Sequence, residues 1–447
     1  MLQNPFASAV RYRDGIPVAP GAFPGLGHAT ALYTDAVEFY RRGRDTLGPL
    51  FWVHLGFGNW VVTCVDREGF DLLRNKATGM AHLRRNVSVL VGDSILGQDG
   101  ASHQRMRSAL SAPFTPKGLA ATGFMATISE VMAERVARWT EARSIPVLAE
   151  AQAVTLDLIL RLIGVEVEDL SLWAKHHHDF GGAVFPLIPS YIPGSPMWRA
   201  ERARVWIDAK LLAIVREERS RPSHATFVSE LCHGKDEQGK MLDERELVDN
   251  LRLLTQAGYD TTSGVLAWMT ILLAQKPDLF RSLCKEATAT NTLPATPQDL
   301  RAYPFSEALF RESCRLYPPA AFATRELYEP VTVCGFPLPA GTVVYIATSL
   351  FGRDPELYPD PERFNVSRWL GRKHPPTPIE LSQFGGGSHF CLGYHLALTQ
   401  SVLFALVLAR ELSRAGLRPR LADGAAPRHC HIPTGHPTPA TRVEFVP

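Results

Sequence analysis

No stretch constrains this chain more than Phe384-Gly385-Gly386-Gly387-Ser388-His389-Phe390-Cys391-Leu392-Gly393. One cysteine follows a glycine-rich turn and sits directly before a long apolar run, Leu392 to about Ala415, that reads as a helix. Glycines there let the backbone turn tightly and come close to a large flat ligand. The N-terminus of a helix favours negative charge beside it, which places Cys391 to be a thiolate. A thiolate in a snug backbone loop is a ligand for a soft or borderline metal, and one alone suits the axial position of a haem iron. A buried structural cysteine behind a glycine loop is the plainer reading. A bare Gly-Gly-Gly run would favour it, but the full spacing Phe-x-x-Gly-x-His-x-Cys-x-Gly does not.

Composition narrows the field further. With 447 residues, 45% hydrophobic and 21% charged, the chain is of ordinary globular type. A formal charge of +2 indicates no nucleic-acid partner. The 7 cysteines (64, 232, 284, 314, 334, 391, 430) are scattered, odd in number and without a Cys-x-x-Cys pair. That argues against a disulfide framework or a zinc site and fits a reducing cytosol. Near Met1 there is neither a basic-then-apolar signal nor a run of about 18 apolar residues, so no membrane anchor is expected. Neither a linker nor an internal repeat divides the sequence.

Phe51–Leu55 and Trp60–Val65, joined by Gly56-Phe57-Gly58-Asn59, predict a β-hairpin. Helical patterns dominate from about 101 to 290, broken where Pro186, Pro189, Pro193 and Pro196 forbid a helix. The longest pattern, Glu244 to Gln275, starts with a capping-box pair, Asp243 and Glu246, and stops before Pro277. Short strands are expected around 322–347 and near the C-terminus, and 353–383 reads as irregular and proline-rich.

Within the longest helix lies Ala257-Gly258-Tyr259-Asp260-Thr261-Thr262. Residues 257, 258 and 261 share a face, and two small ones would let a flat cofactor lie against it. Glu312 and Arg315 are helical neighbours before the stop Leu316-Tyr317-Pro318-Pro319, a spacing that usually marks a solvated pair. His103 and Arg107 also share a helix face, which suits a carboxylate but is more often simply solvated.

Together, these stretches resemble the cytochrome P450 family of haem-thiolate monooxygenases, in family order and over nearly the whole chain. The resemblance implies a mainly α fold with small β sheets, triangular in outline, enclosing one haem b within a single domain over 1–447. Its β-rich portion is expected at about 45–65, 320–350 and 416–447, and its helical portion at about 100–316 and 392–415. Cys391 becomes the axial iron ligand, with Phe384, Gly387 and Gly393 shaping its loop, and Ala257 and Gly258 lie against the cofactor. Asp260 and Thr261 become an acid–alcohol pair that delivers protons during O2 activation. His103, Arg107, Arg325 and His389 are the implied propionate donors; His389 stands where the family most often has Arg. Glu312 and Arg315 become a buried structural network whose third partner is Arg368, with Arg363 competing.

By the same resemblance the substrate pocket draws on Leu83, Val87, Leu90, Phe185, Ile188, Leu253, Phe322 and Ala323, mostly apolar, so a small lipophilic substrate is expected. Terpenoids, polyketides and fatty acids all fit, as does a place in secondary metabolism. NAD(P)H would act indirectly, through a separate ferredoxin or flavodoxin partner docking beneath Cys391, with Arg105, Lys117, Arg372 and Lys373 as basic contacts. A cytoplasmic monomer is expected. Phenol coupling, isomerisation or peroxide-driven oxygenation on the same fold stays open, as does a haem-binding sensor without turnover. His176-His177-His178 point apart on a helix and do not chelate one ion, and His429-Cys430-His431 lacks further ligands at zinc spacing.

Overall fold

The 32-residue helix Glu244–Gln275 is the axis of the molecule. Asp243 and Glu246 close its N-terminus with a reciprocal capping box, satisfying two backbone donors that would otherwise be orphaned. Leucines, valines and alanines surround it, so it is buried on nearly all sides, the pattern of a core helix. Against it pack the helices Val147–Leu162, Pro196–Arg219, Pro304–Leu316 and Tyr394–Arg414. This computed structural model describes residues 10–165, 169–183, 191–422, 427–431 and 434–447.

Tyr394–Arg414 begins slightly later than the apolar run suggests, because Leu392 and Gly393 form the turn leading into it. By length and composition this segment is apolar enough to cross a membrane, but it is mostly buried. Its neighbours are Phe124–Ala142, Pro277–Thr288 and Pro304–Leu316, making it a core helix of the large apolar cluster.

Two smaller clusters lie against the sheets. The seven-stranded sheet contains β1 (Arg11–Arg13), β2 (Ile16–Val18), β3 (Leu50–His54), β4 (Trp60–Cys64), β5 (Thr78–Gly79), β7 (Ala323–Leu327) and β10 (Val343–Ile346), in the order β1-β2-β3-β4-β10-β7-β5. The expected hairpin is β3–β4, with Trp52 opposite Val62. β6 (Ser144–Pro146) joins β11 (Arg418–Leu421) and β14 (Arg442–Val446); β8 (Val331–Val333) pairs β9 (Phe336–Leu338), and β12 (His429–His431) pairs β13 (Gly435–Pro437). β7 sets Arg325 opposite Val344, which directs this arginine toward the cysteine loop.

The aperiodic segment 80–98 consists of two short helices, Ala81–Asn86 and Ser88–Val91, and a 3-10 turn. The central helix fastens it: Asp93 N–H donates to Asp249 Oδ2 at 2.8 Å and Ile95 N–H to Asn250 Oδ1 at 2.9 Å. The segment 353–383 is irregular with 3-10 turns, as its prolines dictate.

The β12–β13 hairpin lies directly on the central helix at Gly264, where an added Cβ would sit 2.4 Å from the Gly435 carbonyl oxygen. Gly435 N–H in turn donates to Pro319 O at 2.7 Å, so that carbonyl cannot swing away cheaply. Gly264→Ala should therefore cost about 1–3 kcal/mol of overpacking, outweighing the gain in helix propensity of about 1 kcal/mol. Calorimetry should show a lowered unfolding midpoint; an unchanged or raised midpoint would mean that the hairpin is free to lift.

Candidate active site

The glycine turn is built as its backbone requires. Gly385 and Gly387 have φ of 80° and 64°, the left-handed region that costs other residues steric strain. A Cβ on Gly387 would also strike Leu73 O at 2.4 Å. Phe384 O accepts from Cys391 N–H at 2.8 Å, closing the loop, and the Phe384 ring stands edge-on to Tyr394 at 5.0 Å.

Burial pushes the Cys391 thiol up, against the Gly393 N–H and the Arg107 guanidinium, which pull it down. A bound metal would favour the deprotonated thiol further. Arg107 Nη1 donates to Phe390 O at 2.9 Å, tying the Gly100–Leu110 helix to this loop.

On the central helix, one set of residues stands out by exposure. Leu254, Gly258 and Thr261 are half-buried and Ala257 is exposed, on a helix otherwise buried from Tyr259 to Ala274. Positions 254, 257, 258 and 261 form one stripe along the helix. Thr261 Oγ1 donates to Ala257 O at 2.6 Å. Asp260 points elsewhere: its Oδ2 accepts from Thr434 Oγ1 at 2.7 Å. Burial raises the Asp260 carboxyl, opposed by Thr434 and by His436 and His178.

A cavity of about 1040 Å³ gathers His103, Arg107, Arg325, Gly387 and His389. Cys391 and Thr261 are not on its wall, which gathers the cationic side chains instead. Arg325 is buried, donates to Thr324 O at 2.8 Å and lies near Leu73 O and Gly386 O at 3.3 and 3.4 Å. Burial lowers its guanidinium to about 10, still charged at neutral pH. The His103 and His389 rings lie 4.1 Å apart. Burial, then His389 and Arg107, lower His103 to about 4, so His103 can donate only as a neutral tautomer. The sequence reading assigned no role to Asp99. Its carboxylate meets His389 Nε2 at 3.1 Å, Tyr328 Oη at 2.6 Å and Met80 N–H at 2.9 Å.

Glu312 has no exposure and Arg315 is 2% exposed. Two bonds of 2.8 Å join them. Asn365 N–H and Trp369 Nε1 donate to the same carboxylate at 2.8 Å each, and Arg368 Nε lies 3.4 Å away. Arg363 offers only its carbonyl, to Arg315 Nη2 at 3.1 Å.

Among the expected pocket residues, Leu83 and Val87 are half-buried and Leu90 and Leu253 buried in the large core cluster. Ala323 begins β7. The Phe322 ring stacks on Tyr345 at 4.2 Å and is partly buried beside the sheet. Phe185 and Ile188 lie outside the described residues. Of the expected basic contacts, Arg105 pairs with Glu246 and Arg372 with Glu380 at 2.5 Å. Lys117 and Lys373 are exposed.

This donor set fits a haem: one thiol in a backbone loop, a small-residue helix face, and cations gathered at one end for two carboxylates. The cytochrome P450 family model matches residues 17–413. The chain is 35% identical over 446 residues to the cytochrome P450 BJ-4 homolog of Sinorhizobium fredii, covering 100% of this chain and 99% of that one. To the cyclooctat-9-en-7-ol 5-monooxygenase of Streptomyces melanosporofaciens it is 29% identical, over 90% of this chain and 89% of the other. Retinoic-acid-bound cyanobacterial CYP120A1 shares the fold with a TM-score of 0.85 at 24% identity, over 96% of this chain and 99% of that one. The family match over most of the chain and the full-length relative show that the chain belongs to the cytochrome P450 family, and its class is that of the haem-thiolate monooxygenases.

Glu312→Ala would strand Arg315 as a buried unpaired charge, at a cost of about 3–5 kcal/mol. Little soluble, haem-loaded protein should be recovered, whereas Glu217→Ala, which breaks the exposed pair with Arg221, should cost under about 1 kcal/mol. Equal yields from the two would contradict the buried placement.

The buried histidines set an acid response. His82, His103 and His177 are each lowered to about 4, first by burial. The unfolded chain protonates them near 6.5, so between about 6.5 and 4 it binds more protons and stability falls with pH. The loss approaches about 3 kcal/mol per histidine at pH 4. His177→Asn should shrink the fall in unfolding midpoint across this window; an unaltered profile would show that His177 is not kept neutral by burial.

Proposed function

We propose that this chain inserts one atom of O2 into a small lipophilic substrate, with electrons delivered from NAD(P)H through a separate ferredoxin or flavodoxin. Haem, when bound, supplies the iron at which O2 is activated. Cys391 would ligate it, and Arg107, Arg325, His103 and His389 would hold its carboxylates. The accessible stripe at Leu254, Ala257, Gly258 and Thr261, continued by Leu83 and Val87, supports an apolar pocket that excludes water. Excluding water matters because proton delivery must then run through the protein's own groups.

The observation that carries the reading is the pairing of Thr261 on the accessible stripe with Asp260 behind it. Burial raises the Asp260 carboxyl and Thr434 holds one of its oxygens, so the group can keep a proton and release it. Thr261 spends its hydroxyl hydrogen on Ala257 O, leaving its oxygen free to accept from water. A haem carrier has no use for such a pair. A lipophilic substrate is supported by the relative named for a cyclooctatenol and the fold neighbour solved with retinoic acid. Lys117 and Lys373 remain the basic contacts for the redox partner. A cytoplasmic, monomeric, single haem domain completes the proposal.

Thr261→Ala and Asp260→Asn test it on any turned-over substrate. Thr261→Ala should lower product per NAD(P)H and raise hydrogen peroxide. Asp260→Asn should slow turnover by about tenfold or more, within the range of a lost proton-transfer group. Activity driven by added peroxide should suffer less in both. Unchanged coupling and unchanged rate would show that both residues only pack the helix.

A further inference from the structure

Cys64 and Cys334 are 270 positions apart in sequence, yet their sulfurs lie 3.9 Å from one another. Cys64 ends β4 and is wholly buried. Cys334 is in the turn of the β8–β9 hairpin, half-exposed. Asp66 and Glu68 lie beside them: one carboxylate oxygen from each and the Cys334 sulfur lie within 4.8 Å of one another. The intervening Arg67 turns away to Asp354 and Glu356. Among the described residues, neither Asp66 nor Glu68 has a lysine or arginine within ion-pair distance. Cys334 and two exposed carboxylates thus gather beside the end of β4, with the Cys64 thiol adjoining Cys334, and none of the four lines the cavity at Arg325.

We propose that Cys64, Cys334, Asp66 and Glu68 form a binding site for a zinc-class divalent cation. The donor set is mixed sulfur and oxygen, which suits a borderline-soft ion that favours tetrahedral coordination. With metal–sulfur bonds of about 2.3 Å, the sulfur–sulfur edge of such a tetrahedron is about 3.8 Å, close to the 3.9 Å found. The ligands are already oriented by the backbone. Cys334 N–H donates to Glu68 Oε1 at 2.8 Å and Glu68 N–H to Asp66 Oδ1 at 2.8 Å. The Cys64 thiol lies 3.6 Å from Asp66 O, a contact the ion would replace. Gly69 leaves the space, since a Cβ there would sit 2.8 Å from the Cys64 sulfur. Binding releases a proton from each thiol to solvent and involves no redox step, so affinity rises with pH.

The test equilibrates haem-loaded protein with zinc against a competing chelator, under reducing conditions, with metal counted per chain and the zinc X-ray absorption fine structure recorded. Wild type should retain one zinc with a sulfur shell at about 2.3 Å and an oxygen shell near 2.0–2.2 Å. Cys334→Asn is the main variant, because Asn-Gly suits a turn whose positions 334 and 335 have φ of 48° and 80°. Cys334→Asn and Cys64→Ser should each weaken zinc binding at least tenfold, and Cys430→Ser should leave it unchanged. No retained zinc in wild type would overturn the proposal. So would equal retention in Cys334→Asn, an oxygen-only shell, or a Cys64–Cys334 disulfide persisting under these conditions.

Discussion

Glu312 is a carboxylate fully removed from water, and much of the site hangs on keeping it paired. It receives both arms of Arg315, the Trp369 indole and the Asn365 amide. Arg315 in turn takes the carbonyls of Gly352, Pro361 and Arg363. One helix, Pro304–Leu316, thereby fixes an irregular segment that has few backbone hydrogen bonds of its own and leads into the cysteine loop. An unpaired charge at this depth costs several kcal/mol, and a satisfied network specifies one arrangement. The loop that carries Cys391 is therefore positioned from behind.

Desolvation acts on both sides of the slot with different chemical results. On the loop side it raises the Cys391 thiol, against the pull of Arg107 and Gly393. On the helix side it raises Asp260, where retaining a proton is what a relay needs. At the cationic end it lowers His103 and Arg325, leaving arginine as the charged donor and histidine as a neutral one. A carboxylate of the chain itself, Asp99, already lies against His389 there.

Local signals were legible in the sequence because their partners are close along the chain. The capping box at Asp243 and Glu246, the β3–β4 hairpin and the glycine turn each rest on residues a few positions apart. The choice of Arg368 over Arg363 came from the family resemblance, and Arg368 is the side chain that reaches Glu312. What stayed hidden depends on tertiary packing. Thr434 meets Asp260 across 174 positions, Asp99 meets His389 across 290, and Arg105 meets Glu246 across 141. The approach of Cys64 to Cys334 was equally hidden, because one ends β4 and the other lies in the β8–β9 turn. The stacking of Phe322 on Tyr345 was hidden in the same way.

The central claim is that the Cys391 sulfur ligates haem iron. The absorption spectrum of the reduced carbon monoxide complex tests it most directly, because a thiolate opposite carbon monoxide shifts the Soret band to the red. Haem-loaded wild-type protein should show that band, and Cys391→Ser should lose it while Cys284→Ser keeps it. A folded, haem-loaded wild type without the red-shifted band, or a Cys391→Ser variant that retains it, would contradict the account.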